Sequence, residues 1–478
     1  MKKSKKFVLA ALALLAITGL LALAGCKNDS VPPEATSGTE TKPVTHTVTF
    51  NTDGGSTVAS QTVESGQKAT RPAADPTLEG SWFLGWYSDE GLAKKFDFNT
   101  PITTATTVYA KWSYKLHTKP SILTNYTSPN HTDSKWKYVE FGDWPQTILK
   151  GDVKVDESEG KEMGMFTYYL GSDGNHYVKA EENAYQAGYK YSDDSGVKQK
   201  DESGRPNTRW FKVEPIVWRV LTEDYKDPYG NSTGNALLLA ESILTGGAPY
   251  YVSSDRREIT KEKETGTETE KVTVYPNNWQ YSTIRAWLNG LDVVKSDDAQ
   301  ENDKTYAGKG FLQTAFTADA QSLIAGTSVD NSAASTNPAS DPNLWENGEN
   351  LYASKTPTTD KIFLLSEEEA TTGVHLKEKD ITAEDYGFDE YDRWVGDGYG
   401  TTTSTRIRVT TDYAKATGAY QDYGEGYGGW WWLRSPYYYS EIDARGIDSY
   451  GNAIYDNSDV NRTHRGVVPA LSIFLGGN

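Results

Sequence analysis

One cysteine, three methionines and six histidines in 478 residues leave little material for several kinds of chemistry. The lone cysteine, Cys26, excludes an internal disulfide framework, so the folded parts depend on packing. The histidines (His46, His117, His131, His176, His375 and His464) are scattered, with no HExxH and no i,i+4 pair, which argues against zinc catalysis. Neither a Gly-x-Ser-x-Gly elbow nor a Gly-x-x-x-x-Gly-Lys-Ser/Thr loop occurs. Basic residues number 48 against 66 acidic ones, and the net charge of −18 argues against a nucleic-acid partner, because no basic stripe offsets phosphate repulsion. The acidity itself reads as solubility. Long apolar runs are nearly absent; the exception covers residues 7–23.

That run follows a basic hexapeptide and ends in Leu23, Ala24, Gly25 and Cys26. A basic start, a short apolar stretch and small residues before a cut are the marks of a secretory signal. With cysteine at the cut, the segment resembles a bacterial lipobox. The resemblance implies that Cys26 is lipidated and that the protein sits in the cell envelope, tethered to the membrane and exposed at the surface. An ordinary signal or a single membrane helix is the alternative. The expected organisation is a signal peptide over 1–25, a disordered Pro/Thr/Ser/Glu-rich stalk over 26–44, a first folded domain over 45–113, a linker over 114–134 and a large domain over 135–478.

In the first domain, Val48 and Phe50 alternate with threonines, and Asp53-Gly54-Gly55 supplies a turn, so a strand enters a hairpin. Short strands are expected near 58–63, 82–87 and 107–112. The motifs VTFNTDGG (48–55), FLGWYSDEG (83–91) and TVYAKW (107–112) resemble the B-repeat of bacterial internalin-like surface proteins. The resemblance implies a small β-grasp-like fold acting as a spacer or adhesion module, with Trp86 and Trp112 in its core.

In the large domain, residues 210–221 and 236–241 read as strands from their β-branched and apolar content, joined by a turn-rich loop. Residues 279–289 read as an amphipathic helix with Ser282 as N-cap, 316–324 as a second short helix, 360–366 as a buried strand and 367–370 as a helix start. The polar stretches 260–273 and 326–340 read as loops. The ordered motifs EFGDWPQT, FKVEPIVWRVL, STIRAWLNG, KIFLLSEEE, WWLRSP and GVVPALSI resemble an uncharacterised bacterial family of extracellular domains. It is similar to the C-type-lectin-like and formylglycine-generating-enzyme-like fold. The implied fold class is α+β and β-rich multidomain: a β-grasp-like repeat plus a C-type-lectin-like domain with an irregular twisted sheet and short helices.

Trp430, Trp431 and Trp432 cannot all face water, so at least one anchors a core, and Trp431, Leu433 and Leu471 are expected in the frame. Arg434 can belong either to the contact face or to the frame, a buried ion pair being the commoner fate of an arginine beside tryptophans. Beyond Pro436 the composition changes: 17 of the 28 residues at 437–464 are Tyr, Ser, Asn, Asp or Gly, the chemistry of an antibody paratope. Ile442, Ala444 and Ile447 point to a hairpin with its apolar side inward. The ligand-binding residues expected on the outside are Tyr437, Tyr438, Tyr439, Ser440, Asp443, Arg445, Asp448, Tyr450, Asn452, Tyr455, Asn457, Asp459, Asn461 and His464, with Arg445 as the charged anchor. The insert is similar in position and composition to that of proteins diversified by reverse-transcriptase retroelements. Cross-strand tyrosine packing without a ligand is the plain alternative.

The expected partner is an extracellular protein or carbohydrate, with no cofactor and no resident metal. Formylglycine-generating chemistry needs a cysteine pair, which this sequence lacks. The lectin carboxylate–amide motifs for calcium are missing, and the Asp-rich 296–304 stretch lacks EF-hand spacing. A structural envelope lipoprotein without a ligand, or a surface glycan-acting enzyme with a carboxylate pair, are the rival classes.

Overall fold

The computed structural model describes residues 42–130, 136–186, 188–200, 203–262, 268–293, 306–332, 335, 352, 356–371, 388, 404–423, 427–437, 440–453 and 457–476. The signal, Cys26 and nearly all of the stalk lie outside them, as does the 296–304 stretch.

Thr45–Asn51 buries Val48 and Phe50 and exposes the threonines between them, the period-two pattern of a strand with one covered face. It stands second in a four-stranded sheet ordered Gln61–Glu64, Thr45–Asn51, Thr106–Trp112, Phe83–Tyr87. Its pairing with Thr106–Trp112 is parallel and the other two pairings are antiparallel. Asp53 and Gly54 take positive φ at the centre of turn 52–55, and a side chain at Gly55 would strike the Trp112 ring at 2.4 Å. The Trp112 indole N–H donates to the Thr52 carbonyl at 2.9 Å, tying the last strand to the first turn. Trp86 is buried with Val48, Phe50 and Val108 in a core of this unit's own.

The large unit is built on a nine-stranded sheet around Thr208–Thr222, a 15-residue strand paired with Ala236–Ala240, Tyr138–Ile148 and His176–Glu181. All five residues of Ala236–Ala240 are buried, the signature of a strand covered on both faces. Ala470–Ile473 pairs beside it, so the end of the described chain lies inside the sheet. Trp144 and Trp218 are fully buried, their indoles satisfied by the Leu244 and Phe141 carbonyls. Helix Thr283–Asn289 packs on this core, with Ser282 accepting from the Arg285 N–H and Gly290 closing it at φ 65°. The protein is thus β-rich and multidomain, with few and short helices.

Three segments depart from expectation. The ends of the polar 260–273 stretch are paired strands, Arg257–Glu262 antiparallel to Thr269–Val274, with Arg257 and Ile259 buried in alternation. Within the stretch 326–340, expected as a loop, Thr327–Val329 is a strand paired with Thr358–Asp360, whereas the short helix expected over 316–324 is present as Ala318–Leu323, capped by Thr317. The segment expected to be a linker is packed. Ser121–Leu123 pairs with Tyr138–Glu140, Leu116 is buried, and Ser128 and Asn130 bond to Glu241.

The repeat docks on the large unit through rings. Trp82 stacks on His176 at 4.0 Å with 30° between planes, Lys161 sits 4.6 Å over Trp82, and Tyr114 and Tyr168 flank the imidazole. His176 is fully buried, and neither ring nitrogen has a hydrogen-bond partner among the described residues. Burial, helped by Lys161, pushes its pKa down to about 4. An unfolded His176 takes a proton near pH 6.5, so its contribution to stability is complete above that pH and lost as pH falls towards 4, in all about 3 kcal/mol. His176→Phe should therefore flatten the melting-temperature profile between pH 6.5 and 4 relative to the parent protein. His117, bonded to Asp143, titrates in both and cancels. Parallel profiles would contradict the assignment.

Candidate binding surface

The C-terminal frame is a three-stranded antiparallel sheet of Trp431–Pro436, Asp443–Ile447 and Asn457–Asp459. Trp431, Trp432 and Leu433 are fully buried, as is Leu471, while Trp430 is half-buried. What locks this sheet is charge. Helix Glu367–Thr371 carries three consecutive buried glutamates, placed in its first turn where the helix dipole favours anions. Arg434 reaches Glu369 at 2.5 Å and the Leu364 and Asp330 carbonyls at 2.8 and 3.1 Å. Tyr225 donates to the same carboxylate at 2.6 Å, and Tyr250 to the Arg434 carbonyl at 2.7 Å. Burial pushes the Glu369 carboxyl up, but the Arg434 guanidinium outweighs it and holds it below its ordinary range.

Arg445, expected as the exposed anchor, is instead buried. It pairs with Glu367 at 2.5 Å and lies 5.0 Å over the Tyr437 ring. A guanidinium with a buried carboxylate in reach turns inward, because leaving that carboxylate alone would be costly. A third buried cluster joins Glu241 to Arg219 at 2.9 Å and Arg408 at 4.0 Å. Burial raises the Glu241 carboxyl, and the two arginines overcome this and lower it to about 2.

Several expected contact residues do structural work. Asp448 accepts from the Tyr450 and Asn452 N–H groups at 2.8 Å and from the Asn452 amide at 3.1 Å, which fixes the turn at Gly451. The Ser440 and Asp443 carbonyls accept from Asn277 at 2.8 and 3.0 Å. Tyr437 is half-buried beneath Arg445. Asp459 pairs with Arg462 at 3.3 Å, and the exposed Asn461 donates to Ser254 at 3.0 Å. Tyr450 meets Tyr427 edge to face at 4.6 Å. Tyr438, Tyr439 and Tyr455 lie outside the described residues, and Asn457 is described in its backbone alone.

The sheet brings His464 into an aromatic ridge that the expected set does not contain. His464 lies 4.8 Å from Tyr185 and 5.4 Å from Trp430. Tyr420 stacks on Trp430 at 4.1 Å and meets Tyr185 at 5.6 Å. Tyr423 continues the ridge against Tyr189 at 5.4 Å, its hydroxyl donating to Gln186 at 3.0 Å. Tyr185 and Tyr423 are 43% and 66% exposed, a large aromatic area left facing solvent. Asp422 lies among these rings and accepts from Ser449 at 3.1 Å and Tyr420 at 3.4 Å. Two signals in the sequence point here: the Tyr420, Tyr423, Tyr427 spacing and the Tyr185, Tyr189 pair.

Residues 233–475, about half of the chain, match the family described as Domain of unknown function (DUF6273). The chain belongs to that family. The DUF6273 region holds all three buried glutamates of helix Glu367–Thr371, the arginines that pair with Glu367 and Glu369, and the ridge apart from Tyr185 and Tyr189. Residues 46–111 match the Listeria-Bacteroides repeat domain. Two proteins of Evansella cellulosilytica are similar over shorter stretches. One, named "Putative membrane protein", is 28% identical over 156 residues, 30% of this chain and 23% of the relative. The other, named "Putative Gly-rich membrane protein", is 40% identical over 73 residues, 15% of this chain and 8% of the relative. The chain thus spans less than a quarter of the length of either relative. Among the described residues no helix is long and apolar enough to cross a membrane, and no cluster of three or more His, Cys, Asp or Glu could hold a metal ion.

Removing one partner of a buried pair leaves the other charge uncompensated. Arg434→Met should cost about 3–5 kcal/mol in denaturant unfolding, whereas Asn461→Ala at the exposed edge should stay within about 0.5 kcal/mol. Equal losses would contradict this division between frame and surface.

Proposed function

We propose that this chain is an envelope-associated bacterial surface protein whose large domain binds an extracellular partner through the aromatic ridge and the adjoining outer edge of the C-terminal sheet. The observation that carries this is the exposure of Tyr185 and Tyr423 beside Tyr420, Trp430 and His464, over a frame locked by buried ion pairs. Stiff amphipathic rings on a rigid base gain contact area at small entropic cost. The polar groups among them (Asp422, Gln186, Tyr450) supply directional bonds to protein or carbohydrate.

Envelope association is supported by the surface-type repeat and by the names of the two Evansella relatives. In its fuller form the proposal has Cys26 lipidated and the repeat acting as a β-grasp-like spacer. The DUF6273 region would then be a C-type-lectin-like domain, for which the C-terminal hairpin and short flanking helices speak. Retroelement diversification of residues 437–464 is the most specific version. A reverse-transcriptase gene with a near-copy of the insert beside this gene is its test.

Tyr185→Ala with Tyr423→Ala removes exposed rings without touching the ion pairs. On a glycan array and on intact host and bacterial cells, the double variant should bind at least about tenfold more weakly, a loss of about 1.4 kcal/mol, with an unchanged melting temperature. Undiminished capture by the folded variant would exclude the ridge.

A further inference from the structure

The repeat and the large unit build their hydrophobic cores separately. The repeat closes its own around Val48, Phe50, Trp86 and Val108, and Trp82 takes no part in it. Trp82 packs instead on a small cluster of Leu116, Tyr168, Val178 and Val213 that joins the two units. Two backbone bonds run from the connecting segment to opposite sides of this junction. The Leu116 N–H donates to the Gly80 carbonyl of the repeat at 2.8 Å, and the Tyr114 N–H to the Gly174 carbonyl of the large unit at 3.0 Å. The repeat can thus leave the large unit without either main core being opened.

His176 sits at the centre of the junction, in surroundings hostile to a proton. Its ring is fully buried against Trp82 at 4.0 Å, with Tyr168 and Tyr114 at 5.9 and 6.2 Å. Neither ring nitrogen has a hydrogen-bond partner among the described residues. The charged and titratable groups around it offer no compensation. Lys161, on strand Val155–Met163, lies 4.6 Å over Trp82 and opposes a second positive charge. The Tyr168 hydroxyl has no hydrogen-bond partner among the described residues, and the Tyr114 hydroxyl lies 3.2 Å from His117. There the Asp143 and Glu140 carboxylates engage the His117 ring, at 3.1 and 3.7 Å. On the strand of His176 itself, the Tyr177 hydroxyl donates to Asp173 at 2.8 Å. An imidazolium held here would be a buried cation with no partner. Among the rings that cover His176, Trp82 belongs to the other unit and is only half-buried, so lifting it is the least costly way to admit water.

We propose that the Trp82–His176 stack is an acid-released latch: a proton taken up by His176 lifts Trp82, and with it the repeat, off the large unit while both units stay folded. The device does not depend on the ridge being a binding face.

The sign follows from the ring's two environments. Exposed, it takes a proton near pH 6.5; buried under Trp82 it does so only near 4, because of burial and then Lys161. Docking is at full strength above pH 6.5, and its equilibrium constant should fall about a hundredfold between pH 7 and 4. Hydrogen exchange of the full chain at single-residue resolution, corrected for intrinsic rates, reads this opening directly. At least one of the Tyr114 and Leu116 amides should lose about a hundredfold in protection between pH 7 and 4, while strands Thr106–Trp112 and Ala236–Ala240 lose far less. His176→Phe should abolish most of that loss; His117 and Asp143 titrate in both proteins and cancel. Trp82→Ala, outside both main cores, should leave the same amide poorly protected already at pH 7. A loss as large in His176→Phe as in the parent, or one matched by the two core strands, would overturn the proposal. Parent-like protection of both amides in Trp82→Ala at pH 7 would overturn it equally.

Discussion

Three carboxylates taken out of water, Glu241, Glu367 and Glu369, set the terms for the rest of the large unit. Each has an arginine within 2.5–2.9 Å, 22 residues away on the neighbouring strand for Glu241 and 65 and 78 residues away for Glu369 and Glu367. Such pairs gain little net stability, since desolvation consumes most of the attraction. Their effect is discrimination. A register shift in Trp431–Pro436 or Asp443–Ile447 would strand a buried charge, so alternative packings are penalised far more than the native one is favoured. For a chain that is only 37% apolar, this is a means of fixing a C-terminal sheet that apolar patterning alone would leave loosely specified.

A frame fixed in this way can leave large rings in solvent. Tyr185, Tyr420, Tyr423, Trp430 and His464 come from three separate stretches of the chain and meet because the sheet beneath them holds one geometry. Rigidity below and aromatic area above are complementary properties of a recognition surface: ordering costs are met in folding and need not be met again on binding.

Local pattern revealed the elements that obey local rules. The Val48/Phe50 alternation, the all-apolar Ala236–Ala240 run, the Ser282 cap and the buried tryptophans of WWLRSP were all legible in the sequence. The paired strands Arg257–Glu262 and Thr269–Val274 were not, because they face water along much of their length and their threonines, lysines and glutamates resemble a loop. Arg445 misled for a physical reason. Ala444, Arg445, Gly446 and Ile447 are all buried, so alternation carries no information about facing there, and the partner Glu367 lies 78 residues earlier. The ridge escaped notice likewise, since Tyr185 belongs to a different part of the sheet from Tyr420 and Trp430 and only tertiary packing unites them.

The central claim is that Arg445 points inward and holds the C-terminal sheet through Glu367. A double-mutant cycle on Arg445→Met and Glu367→Gln, read by denaturant unfolding, isolates that pair. A coupling of about 2 kcal/mol or more, in the upper part of the range for residues sharing a network, is the predicted result. Additive effects, with coupling within about 0.3 kcal/mol, would mean that Arg445 is not engaged inside, and the frame described here would be wrong.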